Sequence, residues 1–359
     1  MFSLFLTYFL TYGVFGRLNL LWAAASAFFG VLLLRLGLAL VFRLFPYRFT
    51  VLGNSELTSA IVSFVSDSRH REASYFKYIE VPDIHEESPE FWEFFSHMRI
   101  QDIIVSQTYL ENHAGDHLVL NALERGFRLI HEEHFYADFF ECSPLQRLTP
   151  STLVSTDLSV RKLAYEFIKR FIDIVCSAFG LILLSPLMLT IAIAIKATSA
   201  GDVIFTQPRQ GRYRKPFSMY KFRTMKTEES CPNASKGFTR VNDVRVTALG
   251  RLLRPLHLDE LPQLWNIFRG DMSLVGPRPE ALYFAKKMTE AVPLYDLRYT
   301  ARPGLSGHAQ LLAGYLLDSV EDTKTKLAYD LYYLRNQSIL LDLRIILRTI
   351  FVVLKKLSA

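Results

Sequence analysis

An apolar stretch over residues 171–195 constrains the fold of this chain more than any other feature, because Asp173 is its only charged side chain. As a straight helix it would be ~37 Å long, which is enough to cross the apolar core of a bilayer. Ser185 and Pro186 stand near its middle, and a proline removes one backbone hydrogen bond and kinks a helix. Both flanks are basic, with Lys169, Arg170, Lys196 and Arg209. If positive charge stays on the cytoplasmic side, the sequence predicts a re-entrant helix over residues 168–197, and an ordinary kinked span is the alternative.

The N-terminal region carries a second membrane signal. Residues 1–48 are mostly apolar and contain four arginines and no acidic residue. A cleavable signal peptide would begin with a basic region and end in a small-residue cleavage site, and neither is clear here. We therefore predict a membrane anchor over residues 1–46, formed by a helical hairpin or a single helix. A buried helix of a soluble protein is the alternative.

Residues 47–146 are more polar and alternate between strand-like and helix-like runs. The pattern predicts strands at residues 47–52, 101–106 and 127–130 and helices at residues 56–65 and 117–125. This alternation is typical of a small parallel α/β unit. A single glycine, Gly53, follows the first strand, and it does not make the GxGxxG loop of a dinucleotide site. Residues 147–160 are predicted to be a linker.

Composition limits the partners of the chain. The formal net charge is +6 and the isoelectric point is about 9.1. A basic balance beside apolar segments favours membrane lipid with anionic head groups, or substrates that carry phosphate. The sequence contains no nucleic-acid recognition motif, so no nucleic-acid partner is predicted. The three cysteines are far apart and form no CxxC pair, which predicts reduced thiols and no zinc site.

A basic window covers residues 209–226 and contains no acidic side chain. Its members are Arg209, Arg212, Arg214, Lys215, Lys221, Arg223 and Lys226. Residues 219–225 alternate between apolar and polar positions, which predicts a strand with Lys221 and Arg223 on one face. Charges on one face of a strand can point together at a diphosphate. For the cluster over residues 209–215, a solvated or lipid-facing surface is the alternative.

Two adjacent carboxylates, Asp259 and Glu260, follow a predicted helix over residues 246–254 and a break at Pro255. Asp259 is predicted to cap a new helix that runs to about Phe268, which would place both carboxylates at a helix N-terminus that also favours phosphate. One or two carboxylates together with substrate phosphates are typical ligands of Mg²⁺. The pair can therefore divide two tasks, attack on phosphorus and metal binding. Helix capping alone would also explain Asp259.

The stretch over residues 259–280, DELPQLWNIFRGDMSLVGPRPE, resembles the signature of the bacterial sugar transferases that act as polyprenyl-phosphate glycosyl-1-phosphate transferases. The resemblance covers residues 161–359. It includes the KFRTM run at residues 221–225 and the landmarks of a re-entrant helix, which are Lys169, Arg170, Asp173, Ser185 and Pro186. It implies a monotopic catalytic domain over residues 161–359. It also implies that residues 47–146 are a truncated form of the Rossmann-like domain of longer members.

The resemblance implies a double displacement in which a UDP-sugar and polyprenyl (undecaprenyl) phosphate give the polyprenyl-diphosphate sugar and UMP, with Mg²⁺ as cofactor. Asp259 matches the nucleophile that carries the sugar phosphate, and Glu260 matches a Mg²⁺ ligand beside it, with Asp259 close enough in sequence to share the metal. The phosphate-binding residues implied by the family's motifs are Lys221, Arg223, Arg254, Arg278 and Arg302. One departure is His257, where many members have Ser or Thr.

The resemblance also places the protein in the bacterial inner membrane, with the catalytic domain on the cytoplasmic face, where it would initiate exopolysaccharide or another surface glycan. A homodimer stays open, and so does the identity of the sugar. The rivals are a non-catalytic membrane scaffold of a glycan assembly complex and an ordinary glycosyltransferase that releases UDP. Residues 338–357 mix apolar and basic side chains, which predicts an amphipathic helix on the bilayer surface, with a core-packing helix as the alternative.

Overall fold

The computed structural model describes residues 43–67, 75–81, 89–100, 102–112, 117–145, 148, 163–225, 245–313 and 319–357, with scattered positions between 26 and 41. The chain divides into two compact units, Met1–Tyr136 and Ala137–Ala359. The predicted anchor over residues 1–46 and the predicted linker over residues 147–160 lie almost wholly outside the described residues. Within the described residues, no single helix combines the length and the apolarity needed to cross a bilayer.

The first unit is built on a four-stranded parallel sheet with the strand order β2-β1-β3-β4. Its strands are β1 (Tyr47–Leu52), β2 (Phe76–Tyr78), β3 (Asp102–Val105) and β4 (Arg128–His131). The prediction of a parallel α/β unit is confirmed, including the positions of β1, β3 and β4. The sequence pattern does not reveal β2, because three residues are too few to show an alternation.

The helices described with this sheet are α1 (Glu56–Ser66), α2 (Pro89–His97), α3 (Gln107–Asn112), α4 (His117–Glu124) and α5 (Glu132–Phe140). The helices predicted over residues 56–65 and 117–125 are confirmed as α1 and α4. Gly126 follows α4 with a left-handed φ of 83°, which glycine adopts at little cost. The core is rich in aromatic side chains, because Phe91, Trp92 and Phe95 of α2 pack together in it.

A buried carboxylate lies at the carboxyl ends of three strands in the first unit. Glu132, which follows β4, is 0% exposed. It accepts a hydrogen bond from the Ser55 hydroxyl after β1 and one of 2.9 Å from the backbone N–H of Gln107 after β3. Ligands of open α/β sheets usually bind at these strand ends, where a helix N-terminus favours an anion. Here a side chain of the protein itself occupies this position.

The second unit contains a pair of helices, then a β-hairpin, and then a part in which helices and short strands alternate. Its helices and strands are α6 (Leu163–Leu183), α7 (Ser185–Thr198), β5 (Ile204–Gln210), β6 (Pro216–Phe222), α8 (Ala248–Leu253), α9 (Gln263–Arg269), β7 (Ser273–Val275), α10 (Leu282–Ala291), β8 (Gly304–Ser306), α11 (His308–Leu312), α12 (Val320–Arg335) and α13 (Ile339–Leu357). β5 and β6 form an antiparallel hairpin, and β7 pairs with β8 in parallel. The main core joins β7, α10, α12 and α13.

Helices α6 and α7, called the bent pair below, are the predicted interrupted apolar segment. The two helices meet at an angle of 59°, and together they have the length and composition of a membrane span. Pro186 cannot donate a hydrogen bond to the carbonyl of Ile182, which lies four residues earlier. The Ser185 hydroxyl donates to that carbonyl instead, at 2.7 Å. The predicted break at Ser185 and Pro186 is therefore confirmed.

The bent pair leaves a large apolar face uncovered. The exposed apolar side chains on it are Phe167, Phe171, Val175, Phe179, Ile182, Leu183, Leu187, Leu189 and Ile193. Ile191 and Ile195 of α7 instead pack against Phe222 of β6 and Leu253 of α8. A contiguous apolar face of this kind is typical of a surface that meets lipid or another protein.

The predicted C-terminal helix over residues 338–357 is α13. Leu341 and Ile345 are buried in the core of the second unit. Leu343, Leu347 and Phe351 on the other side of the helix are exposed. The core-packing alternative therefore holds for one face of α13, and contact of the exposed face with a bilayer stays a prediction.

Candidate active site

The two carboxylates Asp259 and Glu260, called the acidic pair below, lie in a 3₁₀ turn over Leu258–Glu260. The prediction that Asp259 caps a helix is wrong, because α9 begins at Gln263 and Pro262 occupies its N-cap position. The cause is His257, whose left-handed φ of 54° turns the chain just before the acidic pair. The charge around the pair must therefore come from side chains rather than from a helix terminus.

Two cations from distant segments meet on Glu260. The Nζ atom of Lys221, in β6, lies 2.7 Å from its Oε1 atom. The Nη2 atom of Arg278 lies 3.1 Å from the same oxygen. The Glu260 side chain is 11% exposed, whereas that of Arg278 is 45% exposed. Arg278 therefore has surface left with which to bind a second anion, and a planar guanidinium suits a phosphate.

The members of the acidic pair differ in their electrostatic state. Burial alone would raise the pKa of Glu260, but Arg278 and Lys221 lower it to about 2. Burial raises the pKa of Asp259, although the charges of Lys221 and Arg254 oppose this and Glu260 adds to it. Glu260 is thus held as a permanent anion, while the ionised form of Asp259 is less stabilised. Asp259 is therefore the better nucleophile of the two, because its carboxylate is less stabilised by ion pairs than that of Glu260.

Arg254 lies on the Asp259 side of the site. Its Nε atom donates a hydrogen bond of 2.9 Å to the Thr224 hydroxyl, and its charge lowers the pKa of Asp259. It follows α8, at the C-terminal cap of that helix. The structure thus brings Lys221, Arg254 and Arg278 around the acidic pair.

Arg223 and Arg302 lie elsewhere. β6 ends at Phe222, so the predicted alternation stops before Arg223, and the expectation that Arg223 shares a strand face with Lys221 is wrong. Its guanidinium donates to the carbonyl (2.9 Å) and hydroxyl (2.8 Å) of Ser199, just after α7. Burial lowers the pKa of Arg302, and the charges that act on it are those of Arg212, Arg170, Glu166 and Asp173 rather than the acidic pair. Phosphate binding by Arg223 and Arg302 stays a prediction.

The basic cluster over residues 209–215 divides into two parts. Arg212 pairs with Glu166 at 2.6 Å and Arg214 pairs with Asp296 at 2.5 Å, so both make ion pairs within the fold. Arg209 instead lies beside the site, because its Nη1 atom donates to the carbonyl of Pro279 at 3.2 Å. Sequence reasoning does not single out Arg209. Its place in the basic window is the only signal, and the window does not show which member faces the site.

Polar side chains of α6 join the bent pair to the segments that carry the site. Arg170 donates hydrogen bonds of 2.7 Å to the carbonyls of Ile267 and Phe268, the last turn of α9. Asp173 accepts hydrogen bonds from the hydroxyl of Ser273 and the backbone N–H of Leu274, in β7, at 3.1 Å and 2.9 Å. α9 follows the acidic pair and β7 precedes Arg278, so α6 contacts both segments.

We expect Arg170→Met to destabilise the second unit. The change leaves two carbonyls of α9 without their donor, and hydrogen bonds to a charged group are worth about 1.5–3 kcal/mol each. The measurement is thermal unfolding of the purified protein, followed by the circular dichroism of its helices. Arg269→Met is the matched control. The Arg269 side chain is 52% exposed, and its distance of 3.7 Å from Asp271 is too long for a hydrogen bond. Equal melting temperatures for the two variants would contradict the role assigned to Arg170.

The acidic pair offers few ligands for a metal ion. Among the described residues, no group of three or more His, Cys, Asp or Glu side chains could hold a metal ion. Mg²⁺ commonly takes one or two carboxylates from the protein and completes its shell with water and substrate phosphates. Two adjacent carboxylates beside Lys221 and Arg278 fit that donor set, because the two cations favour the phosphates that a bound metal would need.

Comparison with known proteins assigns the family. The family model for bacterial sugar transferases matches residues 164–356, which is more than half of the chain. The protein therefore belongs to the bacterial sugar transferase family, and the resemblance drawn from residues 259–280 is confirmed. The match includes the bent pair, the β5–β6 hairpin, the acidic pair and Arg278.

Three relatives show how far the similarity reaches. The chain is 42% identical over 198 residues to UDP-N-acetylgalactosamine-undecaprenyl-phosphate N-acetylgalactosaminephosphotransferase of Aeromonas hydrophila, covering 54% of this chain and 45% of that protein. It is 43% identical over 185 residues to UDP-glucose:undecaprenyl-phosphate glucose-1-phosphate transferase of Klebsiella pneumoniae, covering 51% and 39%. It is 41% identical over 188 residues to exopolysaccharide production protein PSS of Rhizobium leguminosarum bv. phaseoli, covering 51% and 93%. The match thus spans less than half the length of the first two relatives.

Proposed function

We propose that this protein transfers a sugar 1-phosphate from a UDP-sugar to undecaprenyl phosphate, releases UMP and so initiates a surface glycan. The observation that carries the proposal is the buried Asp259 beside Glu260, Lys221 and Arg278, in a unit whose bent pair exposes an apolar face. The charged side chains around Asp259 suit phosphoryl transfer, and the exposed apolar face of the bent pair suits a lipid acceptor. The names of the Aeromonas hydrophila and Klebsiella pneumoniae relatives, which contain undecaprenyl phosphate, support the acceptor.

In the proposed first step, the carboxylate of Asp259 attacks the sugar-linked phosphorus of the UDP-sugar. The bond from that phosphorus to the bridging oxygen breaks, and UMP leaves with the bonding electrons. A phosphosugar-aspartate remains on the chain. Arg278 binds the phosphate oxygens through its exposed surface, and Lys221 keeps Glu260 in place beside Asp259.

In the proposed second step, a phosphate oxygen of undecaprenyl phosphate attacks the same phosphorus. The bond to the Asp259 oxygen breaks, which restores the carboxylate and gives undecaprenyl-diphosphate sugar. Glu260 and Asp259 would hold Mg²⁺, which when bound neutralises charge on the phosphates. Two sequential displacements at one carboxylate predict ping-pong kinetics.

The bent pair is proposed to enter one leaflet and return, so that the catalytic unit lies on the cytoplasmic face of the bacterial inner membrane. The basic residues on both flanks support this orientation, as does the 59° break between α6 and α7. The polar anchors on α6 support it too, because they require the start of that helix to stay beside α9 and β7. The acceptor phosphate would then meet the site at the membrane surface.

We expect Pro186→Ala to straighten the bent pair. Alanine restores a donor for the carbonyl of Ile182, so a continuous helix becomes long enough to cross the membrane. The measurement uses Ala164→Cys and Ala200→Cys, each in a chain without native cysteines, and a membrane-impermeant thiol reagent applied to sealed vesicles of known orientation. Both positions should label from the cytoplasmic side in the parent, whereas Pro186→Ala should move part of the position-200 label to the other side.

The control for this topology test is Pro293→Ala, a change at an exposed proline outside the bent pair. It should leave both labels cytoplasmic. Labelling of positions 164 and 200 from opposite sides in the parent protein would overturn the re-entrant arrangement and establish the kinked span.

The proposed reaction is tested by nucleotide release. Membranes containing the protein are supplied with Mg²⁺, undecaprenyl phosphate and one of four donors: UDP-glucose, UDP-galactose, UDP-N-acetylglucosamine or UDP-N-acetylgalactosamine. We expect UMP from at least one donor, dependent on the lipid phosphate. Release of UDP would instead identify an ordinary glycosyltransferase, and release of neither nucleotide would favour the non-catalytic scaffold.

A further inference from the structure

The segment over residues 277–280, called the Pro-Arg-Pro loop below, has no regular secondary structure, yet all of its carbonyls accept hydrogen bonds. The donors are the backbone N–H of Gly304 to Pro277 (2.9 Å), Arg298 Nη2 to Arg278 (3.1 Å), Arg209 Nη1 to Pro279 (3.2 Å) and the backbone N–H of Gln210 to Glu280 (2.9 Å). Two prolines remove half of the loop's own N–H groups. The loop is therefore held through its carbonyls, and two of the donors are arginine side chains.

Arg298 is the more deeply buried of these two arginines. It lies in a 3₁₀ helix over Tyr295–Thr300 and is 4% exposed. Its Nη2 atom lies 2.9 Å from a carboxylate oxygen of Asp330, in α12, and Asp330 is itself 1% exposed. Its Nη1 atom donates to the Tyr295 hydroxyl at 2.6 Å. Asp330 thus neutralises the guanidinium of Arg298, and the Tyr295 hydroxyl helps to fix its orientation toward the loop.

Arg298 is connected to the acidic pair through Arg278. Its contacts with the loop are the carbonyl of Arg278 and, at 3.4 Å, the carboxylate of Glu280. Arg278 in turn extends to Glu260 with a half-exposed guanidinium. A side chain of that length amplifies any shift of its own backbone, and displacements of about 1 Å are enough to weaken a positioned contact strongly.

We propose that Arg298, paired with Asp330, is a positioning residue that fixes the backbone of Arg278 so that its guanidinium can bind the diphosphate of the donor. The inference rests on the proposed function, since the phosphate contact of Arg278 is part of that function. A buried ion pair is costly to assemble, and replacing one by apolar residues often leaves stability unchanged or raised. Stability alone thus gives a weak reason for this arrangement, whereas orientation of the loop gives a specific one.

The test is a double-mutant cycle between Arg298→Lys and Arg278→Met, read by the steady-state kinetics of UMP release. A lysine at 298 keeps a positive charge for Asp330 but lacks the planar fork that also reaches the Arg278 carbonyl. We expect KM for the UDP-sugar to rise about tenfold in Arg298→Lys while kcat stays within about twofold, as for loss of a ground-state contact. In the Arg278→Met background, Arg298→Lys should have no further effect.

The control is Arg214→Lys, because Arg214 forms an ion pair with Asp296 at the surface of the same unit and does not contact the loop. It should match the parent in both constants. An unchanged KM in Arg298→Lys, or losses that multiply in the double variant, would overturn the proposal. If Arg298→Lys shows no cooperative melting, Asp330→Asn replaces it in the cycle, and an unchanged KM there overturns the proposal equally. Release of no UMP by the parent would refute the proposed function and this inference with it.

Discussion

We expect Asp259→Asn to lower the rate of UMP release at least about 1,000-fold. No other group in the site replaces a nucleophile that forms a covalent intermediate. The amide of asparagine has nearly the shape of the carboxylate but does not attack phosphorus. Asp259 is 9% exposed, so water has little access to act in its place. The measurement is UMP release from membranes with saturating UDP-sugar and undecaprenyl phosphate.

The same variant tests the intermediate directly. Incubation with a donor labelled in its sugar-linked phosphate, without lipid acceptor, should leave label on the parent chain and none on Asp259→Asn. Asp271→Asn is the matched control, because Asp271 lies in the same stretch but contacts Asn266 at 3.3 Å rather than the acidic pair. If Asp259→Asn retains a tenth or more of the parent rate, or still takes up label, another group is the nucleophile.

Replacing Glu260 with glutamine should have the second largest effect, because it removes the carboxylate with which Lys221 and Arg278 both form ion pairs. The amide cannot neutralise two cations, and breaking a buried ion pair by removing one partner costs about 3–5 kcal/mol. The Lys221 side chain is 19% exposed, so solvent recovers only part of that cost. We expect UMP release to fall at least about 100-fold, the scale seen when a group that stabilises transition-state charge is lost.

Two readouts separate the roles of Glu260. A melting curve reports the lost ion pairs, and the rate as a function of Mg²⁺ concentration reports metal binding. If Glu260 is a ligand, the Mg²⁺ concentration for half-maximal rate should rise in Glu260→Gln. Glu321→Gln is the control, because Glu321 forms an exposed pair with Lys324 and should change neither readout. A normal Mg²⁺ dependence in Glu260→Gln would remove Glu260 from the metal site.

The bent pair was the part of this fold most open to prediction. Its apolar length and the single proline are local properties of the sequence, and the Ser185 hydroxyl satisfies the carbonyl that Pro186 leaves free. The strands of the parallel sheet could be predicted equally well where they are long enough to show a run of strand-forming residues. The three-residue β2 could not, since pairing with β1 rather than composition makes it a strand.

The candidate site was harder to predict, because tertiary contacts decide it. The acidic pair and Arg278 stand out in the sequence, but the turn that carries the pair depends on the left-handed backbone of His257. Histidine adopts a left-handed backbone more often than most residues, but only in a small minority of cases, so the residue type alone does not predict this turn. In the same way, the end of β6 at Phe222 sends Lys221 to Glu260 and Arg223 to Ser199, although the two lie two residues apart.

The hydrogen bonds of α6 have a consequence for how this family can be dissected. Arg170 and Asp173 satisfy backbone groups of α9 and β7, so a version of the catalytic unit that begins after α7 would lack the hydrogen-bond partners of these groups. The bent pair therefore cannot be removed without loss of these hydrogen bonds. A chimera that exchanges residues 163–198 between relatives has to bring matching partners in both segments, and a soluble truncation would need new donors and acceptors there.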